Sequence, residues 1–304
     1  MDPAPGESAP HAHKTLKALP DMKHFNDKVA AITGAASGIG RALALALAGR
    51  GCHLALSDID PVGLAATAAL ASQRNPGLRI STAQVDTADR AAVYAWADQA
   101  AASHGQIHLI FNNAGVALST TLEHVKREDF EWLMSINFWG VVWGTQAFLP
   151  HLRASGDGHV VNLSSLFGLM SLPLNGCYNA SKFAVRGYTE ALRMELELVK
   201  APVSATCVHP GGVRTQIARQ ARWDPSASLI TGRDTEKSRA RFDQLLNGTS
   251  AESAALQILR AVERNQRRVL VGRDAKLADK LLRLLGSWYQ PLVLAAARRA
   301  ARRR

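Results

Sequence analysis

The stretch TGAASGIG at residues 33–40 lies between a short apolar run at residues 28–33 and the helix-forming segment RALALAL at residues 41–47. Glycines at a junction between a strand and a helix let the backbone approach a diphosphate closely, and the helix N-terminus offers amide donors and positive potential. Glycine clusters alone are common in loops, but this one has the preceding strand and the following helix that a nucleotide site requires. The stretch therefore predicts a dinucleotide site on an α/β fold.

The rest of the chain continues the same alternation of short apolar runs and amphipathic, helix-like segments. Asp60 followed by Pro61 marks the start of one helix, because aspartate caps helices and proline is tolerated in the first turn. Strands separated by helical crossovers pair in parallel, with helices on both faces of the sheet. We therefore expect one Rossmann-type, doubly wound domain over residues 27–272, with a seven-stranded, mainly parallel sheet. The predicted strands are residues 28–33, 53–57, 79–85, 107–112, 159–163, 203–209 and 268–271.

The composition suits a globular protein: the 304 residues are 47% hydrophobic, enough for a substantial core. The chain has no run of about 18 apolar residues, and the Pro-, Ala- and His-rich residues 1–20 differ from an export signal. The three cysteines, Cys52, Cys177 and Cys207, are odd in number and lack CxxC spacing, which favours reduced thiols over a disulfide framework or a zinc site. A soluble cytoplasmic protein without a metal is expected.

The formal net charge of +11 is concentrated at one end, since residues 267–304 hold 11 Lys or Arg against 2 Asp. We expect residues 1–26 to form a flexible arm and residues 273–304 to form a basic amphipathic C-terminal extension. Three interpretations of the extension stay open: a helix packed on the body or on a partner subunit, a helix on an anionic membrane, and a solvated segment. The pattern favours packing for residues 277–288 and membrane contact or disorder for residues 298–304. No recognition motif supports nucleic-acid binding.

The spacing Thr-Gly-x-x-x-Gly-x-Gly resembles the classical short-chain dehydrogenases/reductases (SDR). Three further elements match that family in its order: NNAG at residues 112–115, Tyr178 with Lys182, and PGGVRT at residues 210–215. The resemblance covers residues 27–272. It implies a nicotinamide-dependent oxidoreductase of secondary alcohols and ketones that assembles as a homodimer or homotetramer through two helices flanking the centre of the sheet.

Asp58 ends the second strand, where a carboxylate can hold both ribose hydroxyls of NAD and repel the extra phosphate of NADP. The alternative is a turn-forming aspartate before Asp60 and Pro61. Because no Lys or Arg lies inside the glycine stretch or just after Asp58, NAD is predicted over NADP. Asp86 resembles the family residue that meets the adenine amino group. The cofactor-binding residues implied are Gly34, Ser37, Gly38, Ile39, Gly40, Asp58, Asp86, Asn113, Ala114, Gly115, Tyr178, Lys182, Pro210, Gly211, Val213 and Thr215.

Tyr178 and Lys182 are four residues apart and therefore share one face of a helix. A neighbouring cation favours the phenolate, so we expect Lys182 to lower the pKa of Tyr178 and prepare it as an acid/base. The resemblance adds Ser165 to fix the substrate oxygen, Asn137 to support a water-mediated proton relay, and a contact between Lys182 and the nicotinamide ribose. Ser164 would face the other way in a strand. A non-catalytic NAD-binding regulatory protein is the alternative, but such a protein would be expected to lose the Tyr or the Lys.

Residues 168–175 resemble the corresponding segment of hydroxysteroid and retinol dehydrogenases, which implies a bulky, apolar, steroid-, retinol- or lipid-like substrate. The apolar residues expected near its pocket are Leu118, Phe167, Leu172, Leu174, Val213 and Ile217. Residues 216–248 follow the sixth predicted strand and are expected to form a lid. Arg219, Arg222 and Arg233 in that segment leave open an acidic substrate such as a 3-hydroxyacyl-CoA.

Overall fold

The computed structural model describes residues 24–232, 234–245 and 248–302. The strands within them are β1 (Val29–Thr33), β2 (His53–Asp58), β3 (Ile80–Gln84), β4 (Leu109–Asn112), β5 (Leu118–Ser119), β6 (Gly158–Leu163), β7 (Val203–Pro210), β8 (Arg222–Trp223) and β9 (Arg268–Val271). Seven of them form one sheet in the order β3-β2-β1-β4-β6-β7-β9, and each neighbouring pair is parallel. The predicted architecture and its seven strands are confirmed.

Helices connect these strands on both faces of the sheet. They are α1 (Gly38–Ala48), α2 (Pro61–Arg74), α3 (Arg90–His104), α4 (Arg127–Met134), α5 (Gly140–Ala154), α6 (Gly176–Leu198), α7 (Ala227–Thr231), α8 (Thr235–Leu245), α9 (Ala251–Glu263), α10 (Arg273–Leu285) and α11 (Tyr289–Arg302). A π-helical turn (Ser135–Trp139) joins α4 to α5, and 3₁₀ turns (Leu166–Gly168 and Gly286–Trp288) follow β6 and α10. The predicted cap is present, because the Asp60 side chain accepts from the amides of Val62 and Gly63.

The strand order reverses between β1 and β4, which lie side by side in the sheet. In open α/β sheets, ligands bind in the crevice outside the carboxyl ends of the strands at such a switch point. The register pairs Ile32 with Phe111, so that the loops after β1 and after β4 leave the sheet next to each other. These are the glycine stretch and the NNAG element.

Two apolar layers cover the sheet. On one face α1 and α9 pack through residues such as Leu43 and Ile258. On the other face α3 and α5 pack through Trp96 and Phe148, whose rings meet edge-on with centroids 4.9 Å apart. Strand β4 is buried at every position, as expected for a parallel strand covered on both sides.

One small sheet was not predicted. Strands β5 and β8 pair over two residues each, joining Leu118 to Arg222 and Ser119 to Trp223. Strands this short carry no periodic signal that a sequence could show. Their pairing attaches the predicted lid segment to the chain just beyond the NNAG element.

Residues 1–23 of the predicted arm lie outside the described residues. Phe25, near the end of that arm, is buried in the core, and the Arg50 guanidinium lies 5.4 Å from the centroid of its ring. The packed body therefore begins before residue 27.

The C-terminal extension is helical through Arg302, and residues 303–304 lie outside the described residues. Helix α10 packs on the body through Ala275 and Asp279. Leu277 and Trp288 are 60% and 74% exposed, so these apolar side chains do not pack on the body, and packing on a partner subunit stays a prediction. Small and charged residues form the packed face instead. No helix in the described ranges is long and apolar enough to cross a bilayer.

Candidate active site

The glycine loop (residues 34–40) makes a turn that side chains would prevent. Gly34 and Gly38 have φ angles of +66° and +53°, which L residues with a side chain rarely adopt. A Cβ atom on Gly40 would lie 2.0 Å from the carbonyl oxygen of Gly34. The start of α1 therefore folds directly against the end of β1.

Side chains from β2, α1 and α2 hold this loop. The Asp58 Oδ2 atom accepts from the Ala36 amide at 2.8 Å, and its Oδ1 atom accepts from the Asp60 amide at 3.0 Å. The Arg41 guanidinium donates to the carbonyl of Ala36 and, at 2.9 Å, to the Thr67 hydroxyl. Asp58 is thus both a turn former and an anchor at the cofactor end. The role of Arg41 was missed, because its partners come from a different helix.

A cleft of about 390 Å³ opens beside the N-terminus of α1. Its lining includes Ser37 and Gly38 from the glycine loop and Arg41, Arg214 and Thr215. The Ser37 side chain makes no capping hydrogen bond, which leaves the first amides of α1 for a ligand. The lining also includes Arg219, Asp243 and Glu252, so three arginines there accompany two carboxylates. A diphosphate fits the amide donors and the remaining positive charge. The described residues contain no group of three or more His, Cys, Asp or Glu suited to a metal ion.

The NNAG element links the glycine loop to the predicted catalytic residues. The Asn113 amide donates to the carbonyls of Thr33 and Gly34 at 2.9 and 3.1 Å. A Cβ atom on Gly115 would lie 3.2 Å from the Asn137 Oδ1 atom and 3.4 Å from the Lys182 Nζ atom. The Asn113 side chain is therefore engaged with the protein, and the small Gly115 lets the two halves of the site approach each other.

Asn137 lies in the π-helical turn and is fully buried. Its Oδ1 atom accepts from the Val116 amide at 2.8 Å, and its Nδ2 atom donates to the Val116 carbonyl at 2.9 Å. The amide thereby clamps the chain just after the NNAG element.

Ser164 and Ser165 follow the end of β6 and have different partners. The Ser164 hydroxyl donates to the Lys182 carbonyl at 2.8 Å and is buried against α6. The Ser165 hydroxyl accepts from the Phe167 amide at 3.1 Å and forms a hydrogen bond with Tyr178. Of the two serines, it is Ser165 that meets the tyrosine hydroxyl.

Tyr178 and Lys182 share a face of α6 as predicted, with the ammonium near the tyrosine ring. The Lys182 Nζ atom lies 5.6 Å from the centroid of the Tyr178 ring and donates to the Leu163 carbonyl at 3.1 Å. Burial raises the pKa of Tyr178 to about 12, partly offset by its hydrogen bond with Ser165, and burial lowers the pKa of Lys182 to about 8. Burial is the largest cause acting on the Tyr178 pKa, and the expected lowering of that pKa by Lys182 stays a prediction.

Sequence reasoning missed His209, which contacts the backbone of Ser165. Its Nδ1 atom donates to the Ser165 carbonyl at 2.8 Å, and the ring is completely buried. Burial lowers the pKa of His209 to about 4, so the ring is neutral at physiological pH. It fixes the backbone of Ser165. No motif in the sequence signals this contact.

The C-terminal extension reaches the site at two further places that the sequence did not reveal. The Asp274 Oδ2 atom accepts from the Gly212 amide at 2.6 Å, in the turn that follows β7. The Tyr289 hydroxyl accepts from the Ser171 amide at 3.1 Å, in the segment between Ser165 and α6. The extension is therefore part of the framework around the site.

A mainly apolar pocket of about 130 Å³ lies between β5 and the predicted lid, to which β8 belongs. It is lined by Ala117, Leu118, Ser119, Leu174, Asn175, Ala221, Trp223, Thr231, Ser238 and Phe242. Leu118 and Leu174 were predicted here, and Phe167 instead lies edge-on against the Tyr178 ring, with centroids 6.1 Å apart. Val213 is buried in the apolar layer that contains residues of α1 and α9, so the prediction that it lies at the substrate pocket is wrong.

Two of the three arginines proposed for an acidic substrate have partners within the protein. Arg219 pairs with Asp243 at 3.3 Å, and Arg222 pairs with Asp129 at 2.8 Å. Arg233 lies outside the described residues. Because their charges are matched locally, Arg219 and Arg222 give little support to an anionic substrate.

Two further cofactor predictions concern Asp86 and Thr215. Asp86 is exposed, and its Oδ1 atom accepts from the Ala88 amide at 2.9 Å. Thr215 lies against the glycine loop, since a Cβ atom on Gly38 would be 3.1 Å from its methyl group. The turn after β7 and the glycine loop therefore border one cleft.

The family model for short chain dehydrogenase matches residues 28–226. SadH of Mycobacterium tuberculosis, which is named as an oxidoreductase, is 48% identical over 274 residues, which make up 90% of this chain and 96% of SadH. The chain therefore belongs to the short-chain dehydrogenase family of oxidoreductases.

Solved structures agree with this assignment. A short-chain dehydrogenase/reductase from Burkholderia phymatum in complex with NAD is 32% identical, with a TM-score of 0.78 over 88% of this chain and 96% of that chain. Carveol dehydrogenase from Mycobacterium avium, also in complex with NAD, is 26% identical, with a TM-score of 0.69 over 82% of this chain and 98% of that chain. The resemblance inferred from the motifs is confirmed.

Proposed function

We propose that the protein is an NAD-dependent oxidoreductase that interconverts a secondary alcohol and a ketone. One observation carries the proposal: Ser165 and Tyr178 are hydrogen-bonded beside Lys182, and Gly115 joins this group to the glycine loop. An acid/base, an oxygen-fixing hydroxyl and a dinucleotide cleft thus share one edge of the sheet. The NAD complexes of the two solved relatives support the choice of cofactor.

Bound NAD would supply the hydride acceptor of the reaction. The first amides of α1 suit its diphosphate, and Asp58 suits the adenosine ribose. We assign the nicotinamide ribose to Lys182, the carboxamide to the turn at residues 210–215 and the adenine to Asp86, following the family resemblance.

In the proposed mechanism, Ser165 donates a hydrogen bond to the substrate oxygen and Tyr178 exchanges a proton with it. With a pKa of about 12 the phenol is protonated at neutral pH, so it can donate directly when a ketone is reduced. When an alcohol is oxidised, the phenol must first lose its proton. The Lys182 ammonium favours that loss, since its pKa of about 8 keeps most of it charged at neutral pH. Asn137 would support the proposed water-mediated proton relay, and its hydrogen bonds to Val116 would hold the neighbouring chain in position.

An apolar substrate fits the pocket better than an acidic one. Aliphatic and aromatic side chains dominate the lining, and Arg219 and Arg222 are engaged with carboxylates. We therefore propose a bulky hydrophobic alcohol or ketone, covered by residues 216–248 as a lid. The runner-up is a 3-hydroxyacyl-CoA, which would need Arg219 to leave Asp243.

The test is NAD reduction followed at the nicotinamide absorbance over a panel of sterols, carveol, hydroxy acids and hydroxyacyl-CoAs. Tyr178→Phe should lower turnover on the best substrate by about 100-fold to 10,000-fold while NAD affinity stays within a few-fold. Tyr188→Phe, a matched change elsewhere on α6, should keep turnover near the parental rate. Near-parental turnover in Tyr178→Phe would contradict the mechanism. Tight NAD binding with no turnover on any substrate would instead favour a regulatory protein.

We also propose a homo-oligomer through the surface that α5 and α6 present. Large apolar side chains are exposed there, at Trp139, Phe183, Met194 and Leu198. Apolar patches of this kind commonly mark subunit contacts. Sedimentation at micromolar concentration should give a dimer or tetramer, and a Met194→Glu variant should shift it toward monomer. A monomeric parent would contradict this proposal.

The extension supports a further proposal, contact with an anionic membrane surface. Its exposed apolar residues are Leu277, Leu281, Leu284, Trp288, Leu292 and Leu294. Exposed basic residues accompany them at Lys276, Lys280, Arg283, Arg298 and Arg299. A helix with an apolar face and basic flanks can lie in the interface of an anionic bilayer.

Truncation after Ala297 tests this contact. It should weaken co-sedimentation with phosphatidylserine vesicles, at about 1 kcal/mol for each basic residue near the surface, and spare turnover on a soluble substrate. Leu284→Ser should weaken the same association by removing apolar area. Unchanged co-sedimentation in both variants would reject the membrane contact. The cytoplasmic location of the protein stays a prediction.

A further inference from the structure

The turn after β7 is held by contacts from three directions. The Gly211 amide donates to the Val271 carbonyl at 2.9 Å, which ties the turn to the end of β9. The Gly212 carbonyl accepts from the Thr249 amide at 2.9 Å. The third contact is the bond from the Gly212 amide to the Asp274 carboxylate, at 2.6 Å. The first two are backbone contacts, and the third depends on one side chain.

The Asp274 carboxylate fills the space where the neighbouring glycines would carry side chains. A Cβ atom on Gly211 would lie 2.2 Å from its Oδ2 atom, and a Cβ atom on Gly272 would lie 2.4 Å from its Oδ1 atom. The carboxylate accounts for the glycine at position 211, whereas Gly272 also has a φ of +99°, which residues with a side chain rarely adopt. The turn after β7 therefore packs closely against the first turn of α10.

The same turn continues into the cleft. Three residues beyond Gly212, Thr215 lies against Gly38 of the glycine loop, and Arg214 lines the cleft with it. A displacement confined to residues 210–212 would leave Arg214 in place at the proposed diphosphate site, because the Arg214 amide donates separately to the Thr249 carbonyl at 2.9 Å. Such a displacement would also leave Asp58 and the loop's own hydrogen bonds in place.

We propose that Asp274 is a positioning residue for the nicotinamide end of the cofactor, an inference that rests on the proposed NAD-dependent function. The carboxylate holds the Gly212 amide and thereby sets the conformation of residues 210–212, which face the nicotinamide in the proposed complex. Removing it takes the carboxylate partner from that amide and opens space beside Gly211. The adenosine and diphosphate half of the cofactor does not depend on this contact.

Titration calorimetry with two ligands distinguishes this role from a merely structural one. NAD carries the nicotinamide, whereas ADP-ribose carries the same adenosine diphosphate ribose without it. Asp274→Ala should weaken NAD binding by about tenfold, the scale expected for a lost hydrogen bond to a charged group, and leave ADP-ribose binding within about twofold. Asp274→Asn, whose amide oxygen can still accept from Gly212, should restore most of the NAD affinity. Arg273→Ala, an exposed neighbour in the same turn of α10, is the matched control.

A second variant keeps the inference testable if Asp274→Ala does not fold. Gly211→Ala introduces a methyl group against the carboxylate and should weaken NAD but not ADP-ribose. Where the double variant Gly211→Ala with Asp274→Ala does fold, its NAD affinity should exceed that expected from adding the two single losses, because the clash is gone.

Equal weakening of both ligands, or unchanged NAD binding in Asp274→Ala, would overturn the inference. The parental titration separates this from the proposed function. A parent that binds neither ligand would overturn the NAD-dependent function itself, and this inference with it. A parent that binds both, with variants that lose neither, would overturn only the role of Asp274.

Discussion

The glycine loop and the C-terminal extension border the same cleft but are held by different kinds of contact. In the loop, main-chain atoms approach so closely that a Cβ atom on Gly40 would lie 2.0 Å from a carbonyl oxygen. In the extension, single side-chain groups make the contacts, with Asp274 on Gly212 and Tyr289 on Ser171. A contact limited by the backbone fails with any added side chain. A contact made by a side chain depends first on its own polar group.

The largest expected effect comes from Gly40→Ala, which forces the start of α1 away from β1. We expect a loss of about 1–3 kcal/mol in the free energy of unfolding, and of most NAD affinity, because overpacking moves the amides that would hold the diphosphate. Gly49→Ala, at the other end of α1, is the matched control. Its Cβ atom would be no closer than 3.7 Å to the nearest carbonyl, and its φ is −64°.

In the control, lower entropy of the unfolded chain should leave stability unchanged or raise it by about 0.4–1 kcal/mol. Thermal unfolding and NAD titration of both variants check this prediction. Equal behaviour of the two alanines would break the account of the loop.

The next largest effect concerns Asp58, the side chain that acts within the backbone-limited region. Asp58→Ala should weaken NAD binding roughly tenfold to 100-fold, since hydrogen bonds to a carboxylate are worth about 1.5–3 kcal/mol. NADP should lose less, because the repulsion of its extra phosphate is relieved as well. Loss of the Asp58 bond to Ala36 loosens the loop for both cofactors. The ratio of the NAD affinity to the NADP affinity therefore removes that shared effect.

Calorimetry with both cofactors measures that ratio, and Asp98→Ala on the exposed face of α3 is the control. If the parent bound NAD and NADP equally, the assignment of Asp58 to cofactor choice would be lost.

A third prediction separates the two faces of α10. Ala275→Leu adds volume on the face that is packed against the body and should cost about 1–3 kcal/mol of stability. Leu277→Ser, on the exposed face of the same helix, should stay within about 0.5 kcal/mol of the parent. Denaturant unfolding of both variants measures the difference. A larger loss in Leu277→Ser would mean that the exposed leucines have a partner in solution.

The two regions also differ in how far their sequences predict them. The strand, glycine spacing and helix at residues 28–47 predict the loop, because each glycine has a backbone reason that its spacing exposes. The seven strands are predicted for a similar reason, since the alternation of short apolar runs with helix-like segments is visible in the local sequence. The leucines of α10 mislead, because a helical period shows that one face is apolar but not whether that face meets the body.

The candidate site divides in a similar way. Tyr178, Lys182 and Ser165 follow from motif spacing, and the structure brings them together. The direction of the tyrosine pKa does not follow, because desolvation depends on the packing around α6 rather than on the four-residue spacing. Contacts made at long range, such as His209 with Ser165, have no local pattern at all.

The smallest expected effect belongs to Tyr289, whose hydroxyl accepts from the Ser171 amide at an exposed position. In Tyr289→Phe, water can replace the hydroxyl, so the loss should stay near 1 kcal/mol and below about fivefold in any measured affinity. Because Ser171 lies between Ser165 and α6, the effect should appear in the KM of the alcohol or ketone substrate and leave NAD affinity unchanged. Tyr94→Phe, which removes an exposed hydroxyl from α3, is the control. If steady-state kinetics instead showed a change in NAD affinity alone, Tyr289 would act on the turn beside Asp274. The extension would then act on only one end of the cleft.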